Sequence, residues 1–116
     1  MAVSAETRAF VLELFDGLPD VTHRRMMGGL AIYSRGQVFC LVGLGERIFI
    51  KAKGGLAEAM AAEGSERFAY TRRNGRVDGM NYWTLPEAAL DDPDLACDWA
   101  RRALEAVAAE EEARFS

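Results

Sequence analysis

Histidine is almost missing from this chain: His23 is the only one in 116 residues. A site built on several imidazoles is therefore excluded, and a histidine-based proton relay has a single position to work from. Cysteine is nearly as scarce. Cys40 and Cys97 are far apart, with no Cys-x-x-Cys spacing, so thiolate metal clusters and dithiol redox motifs are excluded as well. Cys40 lies in an apolar run and Cys97 in a predicted helix. Free buried thiols in a reducing compartment are the plain reading, and a bridge between them is the alternative. There are only three prolines and no Gly/Ser-rich stretch that would mark a linker, so residues 1–116 read as one domain. No apolar run approaches the ~20 residues that span a bilayer. Residues 1–6 have neither the basic nor the apolar part of a secretory leader. The expectation is a cytoplasmic protein with no membrane association. An excess of positive charge is also lacking: 14 Lys and Arg stand against 18 Asp and Glu, a formal net charge of −4. Sequence-independent binding to a phosphate backbone is disfavoured on that balance.

Apolar residues make up 50% of the chain, enough for a core without disulfides or metal. Ser4 caps a predicted first helix whose apolar residues Phe10, Val11, Leu14, Phe15 and Leu18 recur at helical spacing, and Gly17 and Pro19 end it. From Arg24 the period becomes two, with Leu30 and Ile32 alternating with Ala31 and Tyr33. Ser34-Arg35-Gly36-Gln37 reads as a hairpin turn, and 38–42 as a central strand buried on both faces. Ile48 and Ile50 alternate with Phe49 and Lys51 in a third strand. Gly54-Gly55 breaks the sheet before a short helix over 56–62. Phe68 to Thr71 and a return strand ending at Leu85 form a second hairpin with Asn74-Gly75 as a two-residue turn, and Gly79 marks a bulge. Asp92-Pro93 opens a long last helix, and Glu110-Glu111-Glu112 opposes its dipole, so 109–116 is expected to fray. The order predicts an α+β fold. An antiparallel sheet of about five strands is covered by the N-terminal and C-terminal helices in a two-layer sandwich.

No catalytic constellation stands out. His23 neighbours Arg24 and Arg25 rather than a carboxylate that would orient it as a base. Cys40, flanked by Phe39 and Leu41, reads as buried and inert rather than nucleophilic. Gly28-Gly29 precedes a strand, not a helix, so a close backbone approach or a bulge accounts for it better than a phosphate cradle. No residue is assigned to catalysis, to a cofactor or to a metal. Cations gather in the sheet region: Arg24 and Arg25, Arg47, Lys51 and Lys53, then Arg72, Arg73 and Arg76 around a turn. Such charge ordinarily solubilises and protects sheet edges. The sharper reading is a docking surface for an acidic partner or for nucleic acid. Aromatics on strands are most often cross-strand packing pairs. A groove lined by Tyr33, Tyr70, Tyr82 and Trp83 would instead take a small molecule or a peptide.

Arg24-Arg25-Met26-Met27-Gly28-Gly29 followed by Tyr33 resembles the Arg-Arg-Met-Phe-Gly-Gly…Tyr signature of the TfoX/Sxy N-terminal-domain family. Ile48-Phe49-Ile50-Lys51, Phe68-Ala69-Tyr70 and Met80-Asn81-Tyr82-Trp83-Thr84-Leu85-Pro86 resemble later family motifs in the same order, as does the closing helix from Leu95 through Trp99 to Leu104. Met27 departs from the usual phenylalanine. The resemblance implies a secretion-chaperone-like α+β fold and a non-enzymatic regulatory domain. Its longer members regulate natural competence, acting with a cyclic-AMP receptor transcription factor. They carry a second, helical domain that this sequence lacks, so direct DNA binding is not expected of it. The reading is thus a cytoplasmic interaction domain in transcription regulation that contacts a protein partner, conceivably a transcription factor, and is able to form a homodimer. Its candidate interaction surface is Arg24, Arg25, Lys51, Arg72, Arg73 and Tyr82. A small-molecule or peptide-binding module is the alternative, and an enzyme using His23 with Cys40 or a tyrosine stands third.

Overall fold

The serine that opens the chain's first helix does what its position predicts. Ser4 Oγ accepts a hydrogen bond from Thr7 N–H at 3.1 Å and closes the start of α1 (Ala5–Leu14). The computed structural model describes residues 3–26 and 28–115. After α1 come β1 (Val21–Met26), β2 (Gly29–Ser34), β3 (Gln37–Val42) and β4 (Ile48–Lys51). Then follow α2 (Gly55–Ala62), β5 (Arg67–Thr71), β6 (Val77–Thr84) and α3 (Pro93–Phe115). The strands form one antiparallel sheet in the order β1-β2-β3-β4-β6-β5. The architecture is α+β with helices at both ends, as expected.

The sheet has six strands rather than about five. The added one is β1, which pairs with β2 from Val21 opposite Ser34 to Met26 opposite Gly29. Its sequence hides it. Every residue after Val21 is exposed, so there is no apolar alternation to read. Gly28 makes the reversal possible with φ +80°, a conformation that costs a side-chain-bearing residue far more. Met27, where the signature departs from phenylalanine, lies outside the described residues.

Register sorts the side chains onto two faces, because residues opposite one another in an antiparallel pair point the same way. Leu30, Val42 and Ile48 form one row; Ile32, Cys40 and Ile50 form the next. All six are buried and pack under Val11, Leu14 and Phe15, Met60 of α2, and Ala96, Trp99 and Ala100 of α3. The expectation of a central strand buried on both faces holds only in part for β3, since Val38 and Leu41 on the face opposite the helices are half-buried, and a register shift leaves Phe39 without a partner on β2. Phe39 turns into the core and meets Phe15 edge to face, with ring centroids 5.1 Å apart.

Three local readings are refined. The Ser34–Gln37 turn has Arg35 at φ +50° and Gly36 at φ +78°, the two-residue hairpin form. The Asn74-Gly75 turn is not of that kind. Gly75 alone has the positive φ there, Gly75 N–H donates to Arg72 O at 3.0 Å, and Arg72 N–H donates to Arg76 O at 2.7 Å. Asn74 acts through its side chain instead, accepting from Arg76 N–H at 3.0 Å, so the loop holds three residues. Beside Gly79 the β5–β6 register slips between Arg67 and Ala69. Arg67 Nε donates to Met80 O at 3.0 Å, satisfying a carbonyl that the slip leaves without a strand partner.

Asp92 caps α3 by accepting from Leu95 N–H at 3.2 Å. Arg101 pairs with Asp98 three residues back, and Arg102 lies over the Trp99 ring at 4.7 Å. The helix keeps its geometry to Phe115, beyond Ala109, where the sequence suggests fraying. Glu110 is held there by an ion pair to Lys53, which lowers its carboxyl pKa.

Candidate interaction surface

Face assignment divides the residues singled out from the sequence. Arg24, Ala31, Leu41, Phe49 and Thr84 form one row across the face opposite the helices. Lys51 and Tyr82 are register partners on that same face. Tyr82 is buried there by its neighbours, and its hydroxyl is pushed up to about 12, first by burial and then by the nearby Cys40 and Tyr33. It therefore stays protonated at neutral pH, able to donate or accept a hydrogen bond. Phe49 is covered in part by Phe68, edge to face at 5.0 Å.

Arg25 sits opposite Leu30 and so points to the helix side of β1. With Arg8, Met26 and Gly29 it lines a recess of about 260 Å³ between the start of α1 and the β1–β2 turn. Arg72 and Arg73 lie in the β5–β6 turn, at the opposite edge of the sheet from β1. Five strand spacings separate those edges, about 24 Å. The six candidate residues are thus not one patch. Lys51 and Tyr82 come together, Arg24 shares their face at the β1 edge, and Arg25, Arg72 and Arg73 stand apart. Two further cations of the sheet region are paired, Arg47 with Glu66 at 2.9 Å and Lys53 with Glu110.

The aromatic groove suggested by the sequence does not form as drawn. Trp83 pairs with Ile50 and packs against the helix-covered core, the face opposite Tyr82. Adjacent strand residues point to opposite sides, so Tyr82 and Trp83 cannot line one groove. The Tyr70 side chain lies outside what the structure describes.

His23 and Cys40 lie on the same face but on either side of β2, since each pairs with Ile32. Two strand spacings, about 10 Å, keep them out of hydrogen-bond reach. Cys40 is fully buried, and burial raises its thiol pKa well above the usual range. Cys97 is also buried, its pKa raised mainly by desolvation, and its Sγ donates weakly to Leu14 O at 3.6 Å. Both thiols are free. A disulfide-exchange reagent is expected to label neither in the native protein at a useful rate. Labelling should run about a hundredfold or more slower than in urea, because it requires opening of the core. Timed labelling followed by mass spectrometry measures this.

Gly29 is tied to the fold by contact rather than by chemistry. A Cβ placed on it would stand 2.4 Å from Val42 O, so the backbones of β2 and β3 approach where only glycine fits. That close approach gives the second half of the Arg-Arg-Met-Met-Gly-Gly signature a physical role. The TfoX N-terminal domain description matches residues 13–107 of the chain. The chain belongs to the TfoX N-terminal domain family. No curated protein matches it. In this TfoX N-terminal domain Arg24 and Arg25 lie on an edge strand and point to opposite faces of it. No helix among the described residues is long and apolar enough to cross a membrane.

Sequence reasoning missed a second recess, of about 610 Å³, where α1, the segment before β4, the turn after α2 and the end of β6 converge. Its walls come from segments remote in sequence, and no local motif announces them.

Proposed function

We propose that this domain is a non-catalytic regulatory module that works by holding a protein partner along the β1 edge, with transcription regulation as its setting. One observation carries the reading. β1 is an edge strand, exposed at every residue after Val21, and it bears Arg24 and Arg25 with no ion pair among the described residues. An edge strand offers unpaired N–H and C=O groups to an extended segment, which adds to the sheet by main-chain hydrogen bonding. The two arginines select an acidic segment. Because they point to opposite faces, two successive acidic residues of an added strand would each meet one of them. Self-pairing of β1 centred on Arg24 would set that arginine against its own copy, so a homodimer in that register is disfavoured. The negative net charge of the chain argues against duplex DNA as the partner. The wide separation of His23 from Cys40, and the burial of that thiol, support a role without covalent catalysis.

The test is crosslinking of tagged protein in growing cells, followed by titration of the purified partner against the wild type and Arg24→Glu/Arg25→Glu. Both side chains are exposed, so the variant should fold normally. Its affinity is expected to fall about thirtyfold or more, and wild-type binding should weaken as salt rises. Equal affinity for both proteins, or turnover of a substrate by the purified domain, would remove the proposal.

A further inference from the structure

We propose that the recess of about 610 Å³ near the start of β4 is a second docking site, for a basic segment of a partner protein that carries a large apolar anchor. This site is independent of the β1 edge and opposite to it in charge.

The first observation is exposed apolar surface. Phe10 is 44% and Leu90 37% exposed, two of the four large hydrophobic side chains that remain so among the described residues. Both line this one recess, Phe10 from α1 and Leu90 from the turn before α3. Single exposed apolar residues mean little, but two facing one concavity form a wall for an apolar group.

The second observation is charge. Glu46, Glu63, Glu66 and Glu87 line the recess, with Arg47 as the one cation. Arg47 is neutralised by Glu66. Glu46 accepts from the backbone N–H of Ser4 at 2.6 Å, and its pKa is lowered by that bond and by further bonds to the Ser4 and Thr7 side chains. It therefore stays ionised through the neutral range. Glu63 and Glu87 have no ion-pair partner among the described residues. The recess thus keeps net negative charge beside an apolar wall, and the complementary group is a cation on an apolar body.

The third observation is shape. The volume falls in the range of ligand pockets, but the recess is a trough between four chain segments rather than an enclosed cavity. A small amine would stay mostly solvated there, whereas binding sites for small molecules bury most of their ligand. One side of a peptide fits better, its arginine or lysine toward Glu63 and Glu87 and its apolar residue between Phe10 and Leu90.

The experiment titrates the whole chain, labelled with nitrogen-15, with an acetylated, amidated hexapeptide alternating arginine and leucine. Amide shifts are expected at Thr7, Phe10, Ser65 and Leu90. Glu63→Gln/Glu87→Gln should weaken binding about tenfold, two exposed charge contacts' worth. Phe10→Ser should weaken it comparably; if its amide spectrum shows loss of fold, Leu90→Ser takes its place. An arginine–serine peptide should bind at least about tenfold more weakly. Binding that shifts other residues, that ignores these substitutions, or that is absent at about millimolar peptide would overturn the proposal. Each result is separable from the β1 reading, because Arg24→Glu/Arg25→Glu should leave this titration unchanged.

Discussion

Phe39→Ala is expected to remove about 4 kcal/mol of stability, a large share of the roughly 5–15 kcal/mol that holds a domain of this size together. Phe39 is wholly buried and is the residue that the β3 register shift turns into the core. The lost term has two parts: transfer of the ring out of water, and a cavity that the neighbours cannot fill, since Ile32, Ile50 and Val42 are themselves locked in ladder register. Urea titration followed by circular dichroism should show a lower midpoint with an unchanged slope. Phe39→Leu keeps most of the volume and should cost about half as much. The edge-to-face contact with Phe15 makes the two sites non-additive. A Phe15→Ala/Phe39→Ala cycle should yield a coupling of about 1 kcal/mol. A loss below about 1 kcal/mol for Phe39→Ala would mean that this ring does not sit in the core.

Gly29→Ala is expected to cost about 3 kcal/mol, although it adds a single methyl group. The added Cβ would lie 2.4 Å from Val42 O, and that oxygen belongs to the backbone of a central strand, which cannot swing aside as a flexible side chain would. The β2–β3 ladder must part locally, at the point where Leu30 meets Val42 and both are in the core. In thermal melts this is a drop of roughly 10–15 °C for a chain of this length. Gly55→Ala is the matched control. Its Cβ would meet nothing within 4 Å, and it opens α2, where alanine favours helix. It should leave the melting temperature unchanged or raise it slightly. Should the two variants melt alike, the close approach of β2 and β3 would be refuted, and with it the physical account of the glycine in the family signature.

Legibility followed the range of the interactions. Ser4 and Asp92 were readable as caps because each bonds within three residues of itself. Strands β2 and β4 were readable because burial of one face imposes alternation, and β3 because residues 38–42 are all apolar. β1 was not, because an edge strand that buries almost nothing leaves no hydrophobic trace. The Asn74-Gly75 dipeptide announced a turn correctly but not its length, since that depends on whether Asn74 supplies its backbone or its side chain.

The candidate site was legible only as a set of residue types. Arg24, Arg25, Lys51, Arg72, Arg73 and Tyr82 were chosen for charge and aromaticity, and charge along a chain does not say which face it occupies. A one-residue step sends Arg25 to the side opposite Arg24, and strand order sets Arg72 and Arg73 at the far edge. The recess lined by Phe10, Leu90, Glu63 and Glu87 left no mark, because its members meet only after four distant segments have packed.

By itself, then, the sequence determined the fold class, the helix starts, the inner strands and the family, all of which rest on local hydrogen bonding, hydrophobic period and motif order. The tertiary structure alone decided the sixth strand, the separation of His23 from Cys40, the turning of Trp83 from Tyr82 and the meeting of apolar and acidic groups in one trough. These are matters of register and strand order, set by the free energy of the whole packed sheet rather than by any stretch of chain within it.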